Sequence, residues 1–197
     1  MSILAINTVD TGSSIAIIES NSNYFTEHNS AINGHAESFF QILDTLFNKY
    51  NYDYDKISHL AVVIGPGSFT GIRVGISAAK GISLATNKPL YGVNALEVQA
   101  YAISTLCQND RKNIRAIIKN TQGYYTQLFD CDLLLLSEPE MINENELNNG
   151  DCTTYRNCNL PKLDASHAGL LIRYRLENKQ ELSEAEVLYL NKPQYIN

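Results

Sequence analysis

The sequence predicts an α/β protein, and three observations lead to this class. Hydrophobic residues make up 44% of the 197-residue chain and charged residues only 18%, which is enough to bury a core without a disulfide or a metal staple. Short apolar runs rich in β-branched residues alternate with longer segments whose apolar positions recur at helical spacing. A hairpin-like pair of strands comes early, whereas later strands are separated by helices.

The predicted elements of the first half follow one another with little linker between them. Three strands precede a helix, and strand, helix, strand and helix then alternate, with the turn Asn21-Ser22-Asn23 joining the second and third strands. This is the order of the ribonuclease-H-like layer of actin-like ATPase domains, in which an antiparallel hairpin precedes parallel crossovers. The expected strands are residues 3–6, 14–19, 24–28, 60–64 and 89–93, and the expected helices are 35–50, 72–86 and 95–106.

The second half has weaker patterns. A polar stretch at 108–113 separates the halves, so we expect an N-terminal subdomain at 1–108 and a C-terminal subdomain at 109–197. The segment 145–159 is rich in Asn and is expected to be mostly loop. Further strands are predicted at 115–118, 124–130 and 133–136, and helices at 144–148 and 166–176.

Charge, cysteines and hydropathy limit the function classes. The net charge of −6, with no strong basic cluster, disfavours a chain that grips nucleic acid alone. The four cysteines, Cys107, Cys131, Cys152 and Cys158, form no C-x-x-C pair, which favours free thiols in a reducing cytosol. A zinc site at Cys152 and Cys158 would need two more ligands, and His167 is the only later histidine.

We expect a cytoplasmic protein without a signal peptide, because no basic N-terminal region is visible and no apolar run approaches the ~20 residues of a membrane span.

The most distinctive motif of the sequence joins a predicted buried strand to a predicted helix and contains three glycines. Its sequence is Gly65-Pro66-Gly67-Ser68-Phe69-Thr70-Gly71, which is neither G-x-G-x-x-G nor a Walker A loop. One interpretation is an anion or nucleotide site, because a helix start offers free N–H groups and a positive dipole end. The other is a tight corner whose glycines let the helix pack on the sheet. The anion interpretation assigns the site to Gly65, Gly67, Ser68, Thr70, Gly71 and Arg73.

The two helices beside this stretch have features of an interface. The helix at 72–86 carries only two charges, Arg73 and Lys80, among small residues, whereas a surface helix would show a charged face. In the helix at 35–50, Phe39 and Phe40 are adjacent and so point about 100° apart. The alternative is an internal contact between these two helices. The predicted partner surface comprises Phe39, Phe40, Leu43, Phe47, Gly75, Ala78, Ala79 and Ile82.

Several of these motifs resemble the TsaB (YeaZ) family. The resemblance is specific over residues 1–105 and thin afterwards, and it implies an actin-like ATPase (ribonuclease-H-like) fold of two related halves, the second reduced. It also implies a non-catalytic partner subunit of the complex that makes threonylcarbamoyladenosine on the tRNA adenosine next to the anticodon. The motifs are Ile3-Leu4-Ala5-Ile6-Asn7-Thr8, His35-Ala36-Glu37-Ser38, Gly65 to Arg73 with Ala79-Lys80-Gly81, Gly92-Val93-Asn94-Ala95-Leu96-Glu97 and Leu188-Tyr189-Leu190.

The resemblance also implies the partners. The chain would bind a TsaD-like catalytic subunit as a heterodimer through its first two helices, and a TsaE-like ATPase would join them. ATP and metal would sit on those partners, with no cofactor or metal on this chain, and tRNA would be bound only through the complex. Whether the chain forms a homodimer when alone stays open.

Two departures from catalytic patterns support a non-catalytic role, and a third argues against a ligand role for the second half. The metal-binding H-x-x-x-H helix of TsaD here begins Asn94-Ala95-Leu96-Glu97-Val98-Gln99 and holds no histidine. The first strand ends in Asn7 where the family usually has Asp, and Ile118-Lys119-Asn120-Thr121 stands where it usually has Ile-Asp-Ala-Arg. The alternatives are an independent actin-like small-molecule kinase or ATPase, and a peptidase-like enzyme, for which no histidine forms a recognisable triad.

Overall fold

The computed structural model describes residues 1–10, 12–29, 35–106, 113–146 and 162–188, and for 35–38 the backbone alone. Two β-sheets and four helices account for most of this part of the chain, and a short 3₁₀ turn precedes the fourth strand. The strands are β1 (Ile3–Asn7), β2 (Ser13–Ile18), β3 (Tyr24–Asn29), β4 (His59–Val63), β5 (Leu90–Val93), β6 (Ile114–Asn120), β7 (Gly123–Phe129) and β8 (Glu140–Ile142); the helices are α1 (His35–Tyr50), α2 (Phe69–Thr86), α3 (Ala95–Leu106) and α4 (Ala165–Glu177).

The first sheet has five strands in the order β3-β2-β1-β4-β5. β1, β2 and β3 pair antiparallel, whereas β4 is parallel to β1 and β5 is parallel to β4. All side chains of β1 and β2 are buried, as expected for strands that are covered on both faces. The predicted order of antiparallel hairpin and parallel crossovers in the first half is therefore confirmed.

Side chains alternate along β1, so its two faces receive different helices. Ala5 and Asn7 face α4, and a Cβ added at Gly169 of α4 would lie 3.0 Å from that of Ala5. Thr8 continues the opposite face and contacts α2, since its Oγ1 donates a 2.6 Å hydrogen bond to the Gly71 carbonyl. α1 packs on β2 and β3 and contacts α2.

The second sheet is antiparallel, with the order β6-β7-β8. Its inner face packs against α3, which also contacts α4. A small core joins them, made of Leu96, Ala100, Ile103, Ile114, Ala116 and Phe129.

Helix α4 lies in the predicted C-terminal subdomain, yet its apolar face is buried against the first sheet. Its buried residues Ala168, Leu171 and Ile172 belong to the same core as β1 and β4. Residues on both sides of the predicted boundary thus share one core, and the division at 108 and 109 stays a prediction.

The structure differs from the predicted elements at a few places, mostly in the second half. Residues 133–136 form no strand: the Asp130 carboxylate accepts hydrogen bonds from the backbone N–H of Asp132 and of Leu134, which holds a turn, and only Leu135 bridges to Phe129. Residues 144–145 form a turn and residue 146 has 3₁₀ conformation, while 147–148 of the predicted helix and most of the predicted Asn-rich loop lie outside the described residues. β8 is absent from the sequence-based prediction, and α2 begins at Phe69, three residues earlier than expected.

Candidate functional site

The first candidate site is the turn after β1, where an actin-like ATPase would place its carboxylate. Asn7 is only 3% exposed, and both the nitrogen and the oxygen of its carboxamide form hydrogen bonds. Its Nδ2 donates to the Leu163 carbonyl at 3.0 Å, and its Oδ1 accepts from the backbone N–H of Val9 at 3.1 Å. Because an ionised carboxylate has no donor, an aspartate at this position could not make the first contact.

The start of α4 closes the same turn from the other side. The Ala165 N–H donates to the Ser14 hydroxyl at 3.0 Å, and Asp164 caps the helix by accepting from the Ser166 N–H. Asp164 also lies 3.3 Å from His28. Between these groups, Ser13, His28 and their neighbours leave a cavity of about 10 Å³, which holds no more than one water.

His167 lies in the first turn of α4, close to this cap. Burial lowers the pKa of its imidazole, and the negative charge of Asp164 offsets part of that effect. Its Nδ1 is buried without a hydrogen-bond partner within the described part of the chain. The neutral imidazole is therefore the form that the folded state prefers.

The glycines of the 65–71 stretch are explained by close packing on the turn after β1. An added Cβ would lie 2.4 Å from the Val9 carbonyl oxygen at Gly67 and 1.9 Å from the Thr8 carbonyl oxygen at Gly71, so no larger residue fits at either position. Gly65 has a φ of 108°, which L-residues rarely adopt. These contacts support the tight-corner interpretation of the motif.

The N–H groups at the start of α2 are partly used inside the chain. The Ser68 N–H donates to the Val9 carbonyl at 2.8 Å, and the Ser68 hydroxyl accepts from the Gly71 N–H at 3.2 Å as the helix cap. The Arg73 guanidinium lies 3.8 Å from the centre of the Phe69 ring, a cation–π contact. The predicted anion-site residues thus lie together at one corner, and whether they bind an anion stays a prediction.

Helix α3 is the helix at whose start the sequence shows no histidine, and its polar side chains bind within the chain. Asn94 caps it by accepting from the Leu96 N–H, and Glu97 reaches back to the Asn94 N–H at 3.3 Å. Gln99 is buried, and its side-chain oxygen accepts from the Ile117 N–H of β6. Glu97 also binds Arg175 of α4 at 2.8 Å. The polar side chains of this helix therefore join α3 to its neighbours.

The second candidate site is a groove between α1 and α2 with a volume of about 420 Å³. Phe40 lies on it and is 53% exposed, whereas the adjacent Phe39 is fully buried and meets Phe40 edge to face at 5.1 Å between ring centres. The other residues that line the groove are Arg73, Val74, Ser77 and Ala78.

The residues of the predicted partner surface fall into two sets, one accessible at the surface and one buried in the core. Phe40 and Ala78 line the groove, and Phe47 is half-buried. The other members are buried within the chain, so they contact its own core rather than solvent; they are Phe39, Leu43, Gly75, Ala79 and Ile82. Ser77, Val74 and Arg73, which helical periodicity places beside Ala78 on α2, were missing from the predicted set.

Within the described residues, no group of three or more His, Cys, Asp or Glu side chains is arranged to hold a metal ion. None of the helices described is long and apolar enough to cross a membrane.

Comparisons of the sequence give one family. Residues 25–113 match the model of the TsaD family, tRNA N6-adenosine threonylcarbamoyltransferase. The relative from Carboxydothermus hydrogenoformans with this name is 43% identical over 68 residues, which are 34% of this chain and 20% of that protein. The relative from Neorickettsia sennetsu is 27% identical over 152 residues, 69% of this chain and 45% of that protein. The chain thus spans about a fifth of the first curated relatives that it matches.

Solved structures with a similar fold superpose on nearly the whole chain. The sheet order and the crossovers define an α/β protein of the actin-like, ribonuclease-H-like class, as the sequence predicted. YeaZ from Pseudomonas aeruginosa superposes with a TM-score of 0.80 at 16% identity, over 96% of this chain and 99% of that one. A second structure, described as similar to the peptidase YeaZ of the same organism, has a TM-score of 0.77 at 16% identity. The chain has the YeaZ fold, and its resemblance to the TsaB (YeaZ) family is confirmed.

Proposed function

We propose that this chain is a non-catalytic subunit in the synthesis of threonylcarbamoyladenosine on tRNA, and that it binds and supports a TsaD-like catalytic subunit. One observation carries the proposal. The first half matches the TsaD family, but Ala95 and Gln99 stand where that family has its metal-binding histidines, and the Gln99 amide oxygen is engaged by the Ile117 N–H. Catalysis would therefore reside in the partner.

The turn after β1 supports the same conclusion. Asn7 donates to the Leu163 carbonyl, and the adjoining cavity has room for about one water. ATP and metal would accordingly be bound by the catalytic subunit and by a TsaE-like ATPase, in the cytoplasm. This role is preferred to that of an independent actin-like kinase or ATPase, which needs a carboxylate and phosphate space at this turn.

The partner surface is the groove between α1 and α2. Phe40 offers exposed apolar area, which contributes roughly 25 cal/mol per Å² when buried, and Ser77 and Ala78 let a partner helix approach closely. Because the net charge is −6, tRNA would be held by the assembled complex rather than by this chain alone.

A charge placed in the groove tests this surface. Ser77→Glu and Ala78→Glu should each weaken binding to the TsaD-like subunit of the same cells at least tenfold, as measured by titration calorimetry. Thr105→Glu adds the same charge at an exposed position on α3 and should leave the affinity unchanged. Unaltered binding by both groove variants, with wild-type unfolding temperatures, would place the interface elsewhere.

Catalysis and tRNA binding are tested on the isolated chain. We expect no turnover of Mg-ATP and no tight, salt-sensitive binding of tRNA at near-physiological salt. Robust ATP hydrolysis would instead support the kinase or ATPase alternative. Tight tRNA binding would instead indicate that this chain is itself the tRNA-binding subunit.

A further inference from the structure

The two edges of the first sheet differ in how the chain covers them. At one edge, β5 is capped, because the Gly92 N–H donates to the Ser183 carbonyl at 2.9 Å and the two residues form a bridge. The other edge is β3, which pairs with β2. Within the part of the chain that the structure describes, no backbone hydrogen bond covers the outer side of β3. An uncovered edge of this kind can pair with a further strand.

The hydrogen-bond pattern of the β2–β3 hairpin shows which groups point outwards. The Glu19 N–H donates to the Asn23 carbonyl at 3.0 Å, so this pair and every second pair after it are hydrogen-bonded. On β3 the bonds to β2 therefore come from every second residue, beginning at Phe25 and ending at Asn29. The remaining residues of β3 point their N–H and carbonyl groups away from the sheet; they are Tyr24, Thr26 and His28.

The outer side of β3 is accessible and lacks the usual protection. The strand contains neither proline nor lysine, which commonly protect an open edge. Tyr24 is 44% exposed, and 52% of the His28 side chain is exposed. The acidic residue of the strand, Glu27, faces α1, where its carboxylate binds the Lys49 ammonium. Its charge is therefore paired within the chain and does not keep another strand away.

The open edge is complementary to itself. When two copies pair antiparallel about a twofold axis at Thr26, Tyr24 of one copy lies opposite His28 of the other, and Thr26 lies opposite Thr26. Each of these pairs exchanges two backbone hydrogen bonds. On the other face, Glu27 lies opposite Phe25, so like charges are not directly opposed. A register displaced by two residues loses one of the pairs within β3, and in one direction it sets Glu27 against Glu27, which is destabilising.

We propose that β3 is an interface for a second copy of this chain, which pairs with it antiparallel about Thr26 and joins the two five-stranded sheets into one. Because the strand has only six residues, the contact is small and the dimer is reversible, with a population that rises with concentration. Phe40, on the α1–α2 groove, and Lys49, on β3, lie on opposite sides of α1. The groove therefore stays free in the dimer, and the proposal does not depend on the proposed function.

Sedimentation equilibrium of the full chain measures the dimer, and a charge at the axis tests its position. Thr26→Lys sets two ammonium groups against each other and should raise the dissociation constant at least tenfold. Thr105→Lys adds the same charge at an exposed position of α3 and should leave the constant unchanged. Ser77→Glu, in the α1–α2 groove, should leave it unchanged as well. Circular dichroism verifies that each variant is folded.

A cysteine at the axis gives a second readout, which decides the question if Thr26→Lys does not fold. Residues that exchange backbone hydrogen bonds across an antiparallel pair have Cα atoms about 5.5 Å apart. A short bis-maleimide should therefore link Thr26→Cys into a covalent dimer, with both introduced thiols found in one cross-linked peptide by mass spectrometry. Thr105→Cys, treated in the same way, should stay largely monomeric.

Four results would overturn the proposal. They are a monomer at every concentration, a dimer that folded Thr26→Lys leaves intact, a dimer that Ser77→Glu dissociates, and equal cross-linking of Thr26→Cys and Thr105→Cys. Loss of the dimer in Thr26→Lys with unchanged binding of the TsaD-like subunit would support it, because the two surfaces lie on opposite sides of α1.

Discussion

Replacement of Asn7 by aspartate removes one hydrogen-bond donor and leaves the size of the side chain unchanged. In the wild type the amide donates to the Leu163 carbonyl, at a position that is 3% exposed. An ionised aspartate would set a buried negative charge against that carbonyl oxygen, whereas a protonated one could still donate. The folded state should therefore raise the pKa of the new carboxyl above the ~3.9 of the unfolded chain.

The size and the pH dependence of the effect follow from this rise in pKa. Because an uncompensated buried charge costs on the order of 3–5 kcal/mol, the ionised carboxylate should lower the stability at pH 7 by about 3–4 kcal/mol. For a chain of this length the unfolding temperature should fall by roughly 6–16 °C. Near pH 4 the carboxyl is protonated in the folded state and about half protonated in the unfolded one, so the difference from wild type should be small, and it should grow as the pH rises towards the folded-state pKa.

Thermal unfolding followed by circular dichroism between pH 4 and pH 8 measures this difference. Asn143→Asp is the matched control, because Asn143 is exposed and its side-chain oxygen only accepts hydrogen bonds, from the N–H groups of Asn145 and Glu146. The control should unfold within a few degrees of the wild type. If Asn7→Asp unfolds at the wild-type temperature at pH 7, the donor role of Asn7 is refuted.

Two further predictions concern α2 and α4. Gly71→Ala should destabilise the protein by more than about 2 kcal/mol, because the added Cβ would overlap the Thr8 carbonyl oxygen. In the same helix, a Cβ added at Gly81 meets nothing within 4 Å, so Gly81→Ala should stabilise the protein by up to about 1 kcal/mol. Urea unfolding of the two variants measures these changes, and equal effects would contradict the packing role of Gly71. Since burial lowers the pKa of His167, the unfolded state binds its proton first as the pH falls below about 6.5, so stability declines. His167→Gln should lessen the decline in unfolding temperature between pH 7 and pH 5, and an identical decline would rule out His167 as its source.

Much of the first half could be predicted because its strands and helices are specified by local patterns. Runs such as Leu60 to Ile64 are apolar at every position and are buried on both faces, and helical spacing marked α1 and α3. In the second half, the apolar run 133–136 was wrongly predicted to be a strand. The turn found there depends on the Asp130 carboxylate rather than on hydropathy.

The sequence by itself determined the α/β class, the succession of strands and helices in the first half, the glycine-rich stretch between a strand and a helix, and the absence of histidine from the start of α3. Only the tertiary structure decided what these features contact. Asn7 meets Leu163, 156 residues away, and Gly71 packs on Thr8, 63 residues away. Of two adjacent phenylalanines in α1, the structure buried Phe39 and exposed Phe40. Periodicity reports which residues are apolar, but the direction in which each helix faces its sheet is fixed by contacts between segments far apart in the chain.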